Sequence, residues 1–263
     1  MTKSRHIRKI LKPSKEVLSS MISAGLTPYQ IADQLGYGSG GWSNIYKYCR
    51  DYGIDFDFQR NYQLRQIPFN QDQLDVMYGS VLGDAYLRST NGSKGTSYSL
   101  VFSHGEKQIE YLRWKLSIYD QFVTTKKFTV AYRDFHGNAP VSSFSTISHP
   151  DITAFYHLSH PDGRKLVTND WLELLSPLSL AVWYLDDGSL NKRYGTIVMS
   201  TNAYSLPELG LMIDWFEKKH SLHAKLEKRR NEQYALRINA SESKAFRSII
   251  ADYVPECMSY KLG

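Results

Sequence analysis

Two carboxylates stand where an α-helix least favours them. The segment Tyr78-Gly79-Ser80-Val81-Leu82-Gly83-Asp84-Ala85-Tyr86-Leu87 has a partner about 100 residues later, Leu180-Ala181-Val182-Trp183-Tyr184-Leu185-Asp186-Asp187-Gly188-Ser189-Leu190. Each reads as an apolar helix that ends on an aspartate. The helix macrodipole is negative at its C-terminus and disfavours an anion there by about 0.3–1 kcal/mol. Two such ends in one chain predict a cation shared between them. A divalent cation held by carboxylate oxygens can activate a water and stabilise charge developing on a phosphate.

The flanking residues say how the two ends are brought together. Asn70 caps the first helix with Gln73 at the capping-box position, and Leu74, Met77, Tyr78, Val81 and Leu82 form one apolar face. On the opposite face Gly79, Ser80 and Gly83 are small. Glycine inside a helix costs about 1 kcal/mol relative to alanine, a cost best offset by very close approach of another backbone. The second helix opens on Ser176 and Pro177 and is apolar nearly all round over 178–185 except Ser179, so it is buried on every side. The two helices are expected to pack together and set Asp84 beside Asp187, with Asp186 as a neighbour in the cap.

The order of elements repeats after each aspartate. Behind Asp84 the pattern gives a strand at 97–103, a helix over 106–122, strands near 127–134 and 141–147, and a helix near 150–158. Behind Asp187 it gives a strand at 194–201, a helix opened by Ser205-Leu206-Pro207-Glu208, strands near 223–229 and 233–239, and a helix near 242–253. The expected fold class is α+β, a pseudo-symmetric duplication of an αββαββα unit with two saddle-shaped antiparallel sheets. The halves are placed at 69–160 and 161–263.

The chain has 263 residues, 42% of them apolar, enough for a substantial core. Its net charge of +6, with 19 tyrosines, suits a polyanionic partner and argues for nucleic acid. Only Cys49 and Cys257 occur, which excludes a disulfide framework or a structural zinc site, and no apolar run reaches membrane-spanning length. An intracellular protein is expected, in a bacterium, a phage host or an organelle.

Residues 1–65 hold ten Lys or Arg against five Asp or Glu, so they carry +5 of the +6. Lys3, Arg5, Arg8, Lys9 and Lys12 read as a basic arm. A helix over 14–24 ends at Gly25. Thr27-Pro28-Tyr29-Gln30 opens a second, Gly36, Gly38, Gly40 and Gly41 make a turn, and Trp42 to Tyr52 reads as a third. Residues 1–54 resemble a helix-turn-helix domain. On its third helix Ser43, Asn44, Lys47 and Arg50 are placed to reach bases or phosphates. Residues 55–68 are expected to be a linker.

From about residue 68 onward the chain resembles a LAGLIDADG homing endonuclease of the monomeric two-motif kind, encoded within introns or as a free-standing gene. Gly79, Gly83-Asp84-Ala85 and Leu180-Ala181 through Asp186-Asp187-Gly188 carry the resemblance, supported by Leu175 to Trp183 and Met258-Ser259-Tyr260-Lys261-Leu262. Val182 replaces a glycine of the family pattern, and Leu82 and Leu185 replace its first acidic residue. The resemblance implies double-strand DNA cleavage with Mg2+, the metal site formed by Asp84, Asp187, Ala85 and Gly188. It also implies a basic residue near each centre, Lys165 and Lys261, and a polar residue near the metal waters, Asn202. His104 and His136 are further candidates for proton transfer.

DNA recognition is expected from the sheets, alternate strand residues pointing into the major groove. The candidates are Arg88, Tyr98, Lys126, Lys127, Arg133, Lys192, Arg193, Lys225, Lys228, Arg229, Arg230 and Arg237, with Tyr132 interleaved. The partner is double-stranded DNA, bound by a monomer, at a long asymmetric target. Two other readings stay open: an RNA-splicing maturase that binds its intron RNA, and a DNA-binding regulator whose duplicated domain is inactive. Residence in an intein is not expected, since the chain opens on Met1 without a flanking splicing block.

Overall fold

The computed structural model describes residues 12–26, 28–38, 41–54, 58–92, 95–123, 128–132 and 140–263. The chain divides into two compact units, Met1–Gln66 and Ile67–Gly263.

The first unit is helical: α1 (Lys15–Ser23), α2 (Pro28–Gln34), α3 (Trp42–Asp51) and α4 (Phe58–Arg65). Ser14 caps α1 by accepting from the Val17 N–H at 3.3 Å. Gly25 ends it at φ +78°, a conformation that favours glycine. Leu18, Ile31, Ala32, Ile45 and Cys49 form its core. Lys12 donates to Asp51 at 2.8 Å and the Tyr52 hydroxyl to Pro13 O at 2.9 Å, tying the start of α1 to the end of α3. Thr27 and the basic arm from Lys3 to Lys9 lie outside the described residues. The segment expected to be a linker contains α4.

The second unit begins with α5 (Gln71–Leu82), whose capping box is formed: Asn70 accepts from Gln73 N–H and Gln73 from Asn70 N–H, both at 2.9 Å. Next come β1 (Tyr86–Gly92), β2 (Gly95–Gly105), α6 (Ile109–Ile118), β3 (Thr129–Tyr132), β4 (Pro140–Ser145) and α7 (Pro150–Ser159). A short α8 (Asn169–Glu173) leads into α9 (Pro177–Asp187), after which β5 (Gly188–Asn191), β6 (Thr196–Met199), α10 (Leu206–His220), β7 (Lys225–Lys228), β8 (Tyr234–Ile238) and α11 (Ala240–Ile250) repeat the order. Both sheets are antiparallel, ordered β1-β2-β4-β3 and β5-β6-β8-β7, the same topology twice. The strands β1 and β5 begin right behind the aspartates, where the sequence pattern gives no separate strand: β5 has only four residues, and polar residues break the alternation of both. Among the described residues no helix is long and apolar enough to cross a membrane.

The helices α5 and α9 run parallel. Successive contacts go from Asp75 with Ser176 (2.6 Å) through Gly79 with Ser179 to Gly83 with Asp186. A Cβ on Gly79 would stand 2.2 Å from Ser179 O. Backbone therefore touches backbone there, and the seam has no room for a methyl group. Gly79→Ala is expected to destabilise the protein by about 1–3 kcal/mol or more, because the seam can only open. A lower urea midpoint with unchanged slope checks this; an unchanged midpoint would show that the helices can separate freely.

Candidate active site

Parallel packing puts two helix C-termini side by side, and with them two sets of carbonyls that lack intrahelical donors. Lysines supply the missing donors. Lys165 Nζ donates to Val81 O at 3.1 Å at the end of α5, and lies 4.9 Å from the centre of the Tyr204 ring. The Tyr204 hydroxyl donates to Leu82 O at 2.5 Å. Lys261 Nζ donates to Leu185 O at 2.5 Å and Gly188 O at 3.0 Å at the end of α9. Each helix end is thus closed by a cation, which opposes the macrodipole where the aspartates sit. Ala85 is buried and its N–H donates to Ser80 O at 2.8 Å, while Gly188 presses on Tyr184, whose ring a Cβ would meet. These two residues shape the turns.

Asp84 occupies the turn after α5 with its side chain 44% exposed; Asp187 is the last residue of α9. Burial, then the charge of Asp186, pushes the Asp84 carboxyl up to about 6 against the pull of Lys115 and Lys261. Burial, then Asp84 and Asp186, pushes Asp187 up to about 7 against Lys165 and Lys261. Both aspartates are therefore short of positive charge. Because their folded pKa values exceed the unfolded one, the folded chain binds more protons between about pH 4 and 7, and stability falls as pH rises through that window. Burial holds His104 down at about 4, which acts in the opposite sense below its ordinary value. The difference between proteins is hence the informative quantity. Asp187→Asn is expected to melt above the wild type at pH 8 and to lose that advantage by pH 4.5, and added Mg2+ should raise the wild-type midpoint at pH 8 only. Melting curves at the two pH values check both; a constant difference would contradict the shifted carboxylate.

Asp186 has a larger part than a cap neighbour. Its carboxylate is fully buried and takes both oxygens' bonds from Lys115 Nζ, at 2.8 and 3.0 Å, where Lys115 is itself fully buried. Asp186 Oδ2 also accepts the Asp84 N–H at 3.3 Å. Lys115 lies 4.5 Å from the Tyr111 ring centre and 5.4 Å from that of Phe102. His104 sits between the carboxylates, Nδ1 3.6 Å from Asp84 Oδ2 and Nε2 3.8 Å from Asp186 Oδ1, and the Gln108 side chain also reaches the imidazole. Sequence reasoning passes over Lys115. The available signal is its helical phase: it falls four residues after Tyr111 and three after Leu112, on the buried face of α6.

The structure brings Asp84, Asp187, Lys165 and Lys261 to one place. Asn202 is an exposed turn residue after β6 and, among the described residues, joins none of the hydrogen bonds above. On α3, Ser43, Asn44, Lys47 and Arg50 are exposed, opposite the buried Ile45 and Cys49. On the sheets, Arg88 reaches across to Ser145 at 3.1 Å on the face away from the helices, among Thr90, Ser97 and Ser143. Arg237 and Lys225 pair on the equivalent face of the second sheet, with Glu227 3.9 Å from Arg237 and 3.1 Å from Arg229. Lys192 and Arg193 are exposed in the β5–β6 turn, and Arg230 in the β7–β8 connection. Lys228 is exposed and paired with Glu232 at 2.8 Å. Tyr98 departs from expectation: it shares the parity of the buried Leu100 and Phe102 and stacks on Tyr156 of α7 at 3.6 Å, so it faces the helices. Lys126, Lys127, Arg133 and His136 lie outside the described residues, and nothing is described of the Tyr132 side chain.

The family model described as the LAGLIDADG DNA endonuclease family matches residues 74–246. Among curated proteins, Protein RecA of Mycobacterium gastri is 26% identical over 205 residues, covering 73% of this chain, and the chain spans about half of that relative's length, 47%. Cytochrome b mRNA maturase bI2 of Debaryomyces hansenii is 27% identical over 201 residues, covering 74% of this chain and 75% of the relative. Among solved structures, the homing endonuclease I-WcaI bound to its DNA recognition sequence superposes with a TM-score of 0.71 at 21% identity, covering 80% of this chain and 92% of that one. That likeness establishes a shared fold, two four-stranded sheets included.

Proposed function

Because the chain belongs to the LAGLIDADG DNA endonuclease family, whose model spans more than half of its residues, we propose that it cuts both strands of double-stranded DNA at one long asymmetric site. The reaction is metal-dependent hydrolysis of phosphodiester bonds, and the protein is a homing endonuclease. One observation carries this reading: Asp84 and Asp187 end two parallel helices side by side, each end bearing a lysine on its carbonyls.

The residues fit a hard divalent cation. Both carboxylates are held above their ordinary pKa by burial and by neighbouring anions, which is the electrostatic condition a cation relieves. Asp84 and Asp187 would hold it, and Mg2+ suits their oxygen donors. When bound, such an ion supplies water activation and stabilises charge on the phosphate and the leaving oxygen. The chain's own groups do the rest. Lys165 and Lys261 keep positive charge beside the carboxylates without binding them, and so oppose the build-up of negative charge when a phosphate enters. The open faces of the two sheets hold the duplex in register, by Arg88 and hydroxyls on one and by Arg237, Lys225 and Arg229 on the other. Unequal faces read unequal half-sites, which makes the target asymmetric. In the first unit, α3 offers Ser43, Asn44, Lys47 and Arg50 to a further stretch of DNA, as in a helix-turn-helix domain.

Incubation of the purified protein with a randomised DNA library, or with the gene's own insertion locus, tests the reading. Cutting at one long site with Mg2+, and binding without cutting in Ca2+, is the expected result. Binding without cutting in either ion would overturn it. The match to bI2 supports a second reading, RNA-splicing maturase. Retarded migration of the flanking intron RNA, with faster splicing on addition of the protein, would favour that role.

A further inference from the structure

The two halves are built alike but their centres are not chemically equal. Strand registers fix the correspondence: Tyr86, two residues after Asp84, pairs with Val101, and Ser189, two residues after Asp187, pairs with Val198. Three residues further on stand His104, still within β2, and Thr201, two residues past the end of β6. They are therefore equivalent positions, as are Gly83 and Asp186 immediately before the two aspartates.

Thr201 is satisfied where it stands, its hydroxyl donating to Tyr234 O at 3.1 Å. His104 is not. Only 3% exposed, it has an Nε2 without a hydrogen-bond partner among the described residues, 3.8 Å from Asp186 Oδ1. Its Nδ1 faces Asp84 Oδ2 at 3.6 Å. Lys115 already occupies both oxygens of Asp186, so Asp186 is an orienting group and not a ligand. With the Nε2 proton turned to that carboxylate, the Nδ1 lone pair points at a second acceptor, Asp84. Two acceptors facing each other repel, and a cation placed between them would relieve both. Neighbouring donors of an octahedral ion with bonds of about 2.1 Å stand about 3.0 Å apart, so the pair seen at 3.6 Å has only to close slightly on a bound ion. Carboxylate, imidazole and metal in sequence is the usual support of a metal-binding histidine.

We propose that His104 is a nitrogen ligand for the cation held by Asp84, oriented by the buried Asp186–Lys115 pair, and that the Asp187 centre lacks its counterpart. The proposal deepens the metal-dependent reading above and rests on Asp84 holding the ion. The Asp84 centre then favours first-row transition ions over Mg2+, Mn2+ the least and Co2+ more strongly, whereas the oxygen-only Asp187 centre lacks the nitrogen that would set that preference.

The test is pulsed electron spin-echo spectroscopy of the full-length protein carrying one equivalent of Mn2+, with no DNA added. Wild type and Asp187→Asn are expected to show modulation from a directly bound nitrogen, shifted when the histidines carry 15N. His104→Gln is expected to lose it and to bind Mn2+ about 10–100-fold more weakly, with Mg2+ affinity unchanged. Thr201→Val should behave as wild type. Mn2+ bound without nitrogen modulation, modulation that survives in His104→Gln, or failure of the wild type to bind Mn2+ would each overturn the assignment, whether or not the variant folds well. An inactive protein that still shows the nitrogen signal would instead overturn the nuclease reading and leave this one standing.

Discussion

Asp84→Asn and Asp187→Asn are each expected to reduce DNA cleavage by on the order of 10³-fold while leaving binding intact. Asparagine keeps the size of the side chain and its hydrogen-bonding shape but removes the charge that holds a cation. Metal stabilisation of a phosphate transition state is worth several kcal/mol, and about 1.4 kcal/mol is tenfold in rate. A loss of about 4 kcal/mol therefore removes detectable double-strand breaks. Affinity should hold or rise slightly, because an anion no longer faces the DNA phosphates. A supercoiled plasmid bearing the target, followed for nicked and linear products beside a gel-shift titration, reads both quantities. A variant that linearises the plasmid within tenfold of the wild-type rate would remove that residue from the cation site. From the raised pKa values of both aspartates, cleavage by the wild type is further expected to fall as pH drops below about 7, since protonated carboxyls no longer attract the ion.

The second large effect is on folding. Asp186→Ala leaves Lys115 as a fully buried ammonium without its carboxylate, and breaking a buried pair from one side costs about 3–5 kcal/mol. Domains of this kind have about 5–15 kcal/mol in all. Desolvation already pulls the Lys115 pKa down even with Asp186 present, so the unpaired ammonium would give up its proton or open the core. The double variant Asp186→Ala with Lys115→Met has no stranded charge and should recover most of the loss. Urea denaturation of the two single variants and the double one yields the coupling. A loss of less than about 1 kcal/mol for Asp186→Ala would show that Lys115 finds another partner.

Position in the chain explains which parts are legible without the structure. The helix α5 is readable because Asn70, Gln73 and the apolar face of Leu74, Met77 and Val81 are local signals. The seam is readable because interior glycine has few causes, and Gly79 against Ser179 bears that out. The strands β1 and β5 are harder: in Tyr86–Gly92 an arginine, a serine, a threonine and an asparagine spoil the period of two. Tyr98 looks like a groove residue because tyrosine beside charges often is; only the register with its neighbours sets it against α7. The helix α4 has no strong amphipathic face, and nothing local distinguishes it from a polar linker.

By itself the sequence determined the duplication and the packing of two helices that each end on an aspartate, because caps, apolar faces and small residues lie within a dozen or so residues of each aspartate and recur in the same order about 100 residues later. Tertiary structure alone decided what surrounds them. Lys115 and Asp186 are 71 residues apart and Lys165 and Val81 84 apart, and His104 looks like any turn histidine until β2 carries it between two carboxylates. The physical reason is that a charge acquires its character from distance and burial. Both are properties of the packed chain, and neither is written in the residues next to it.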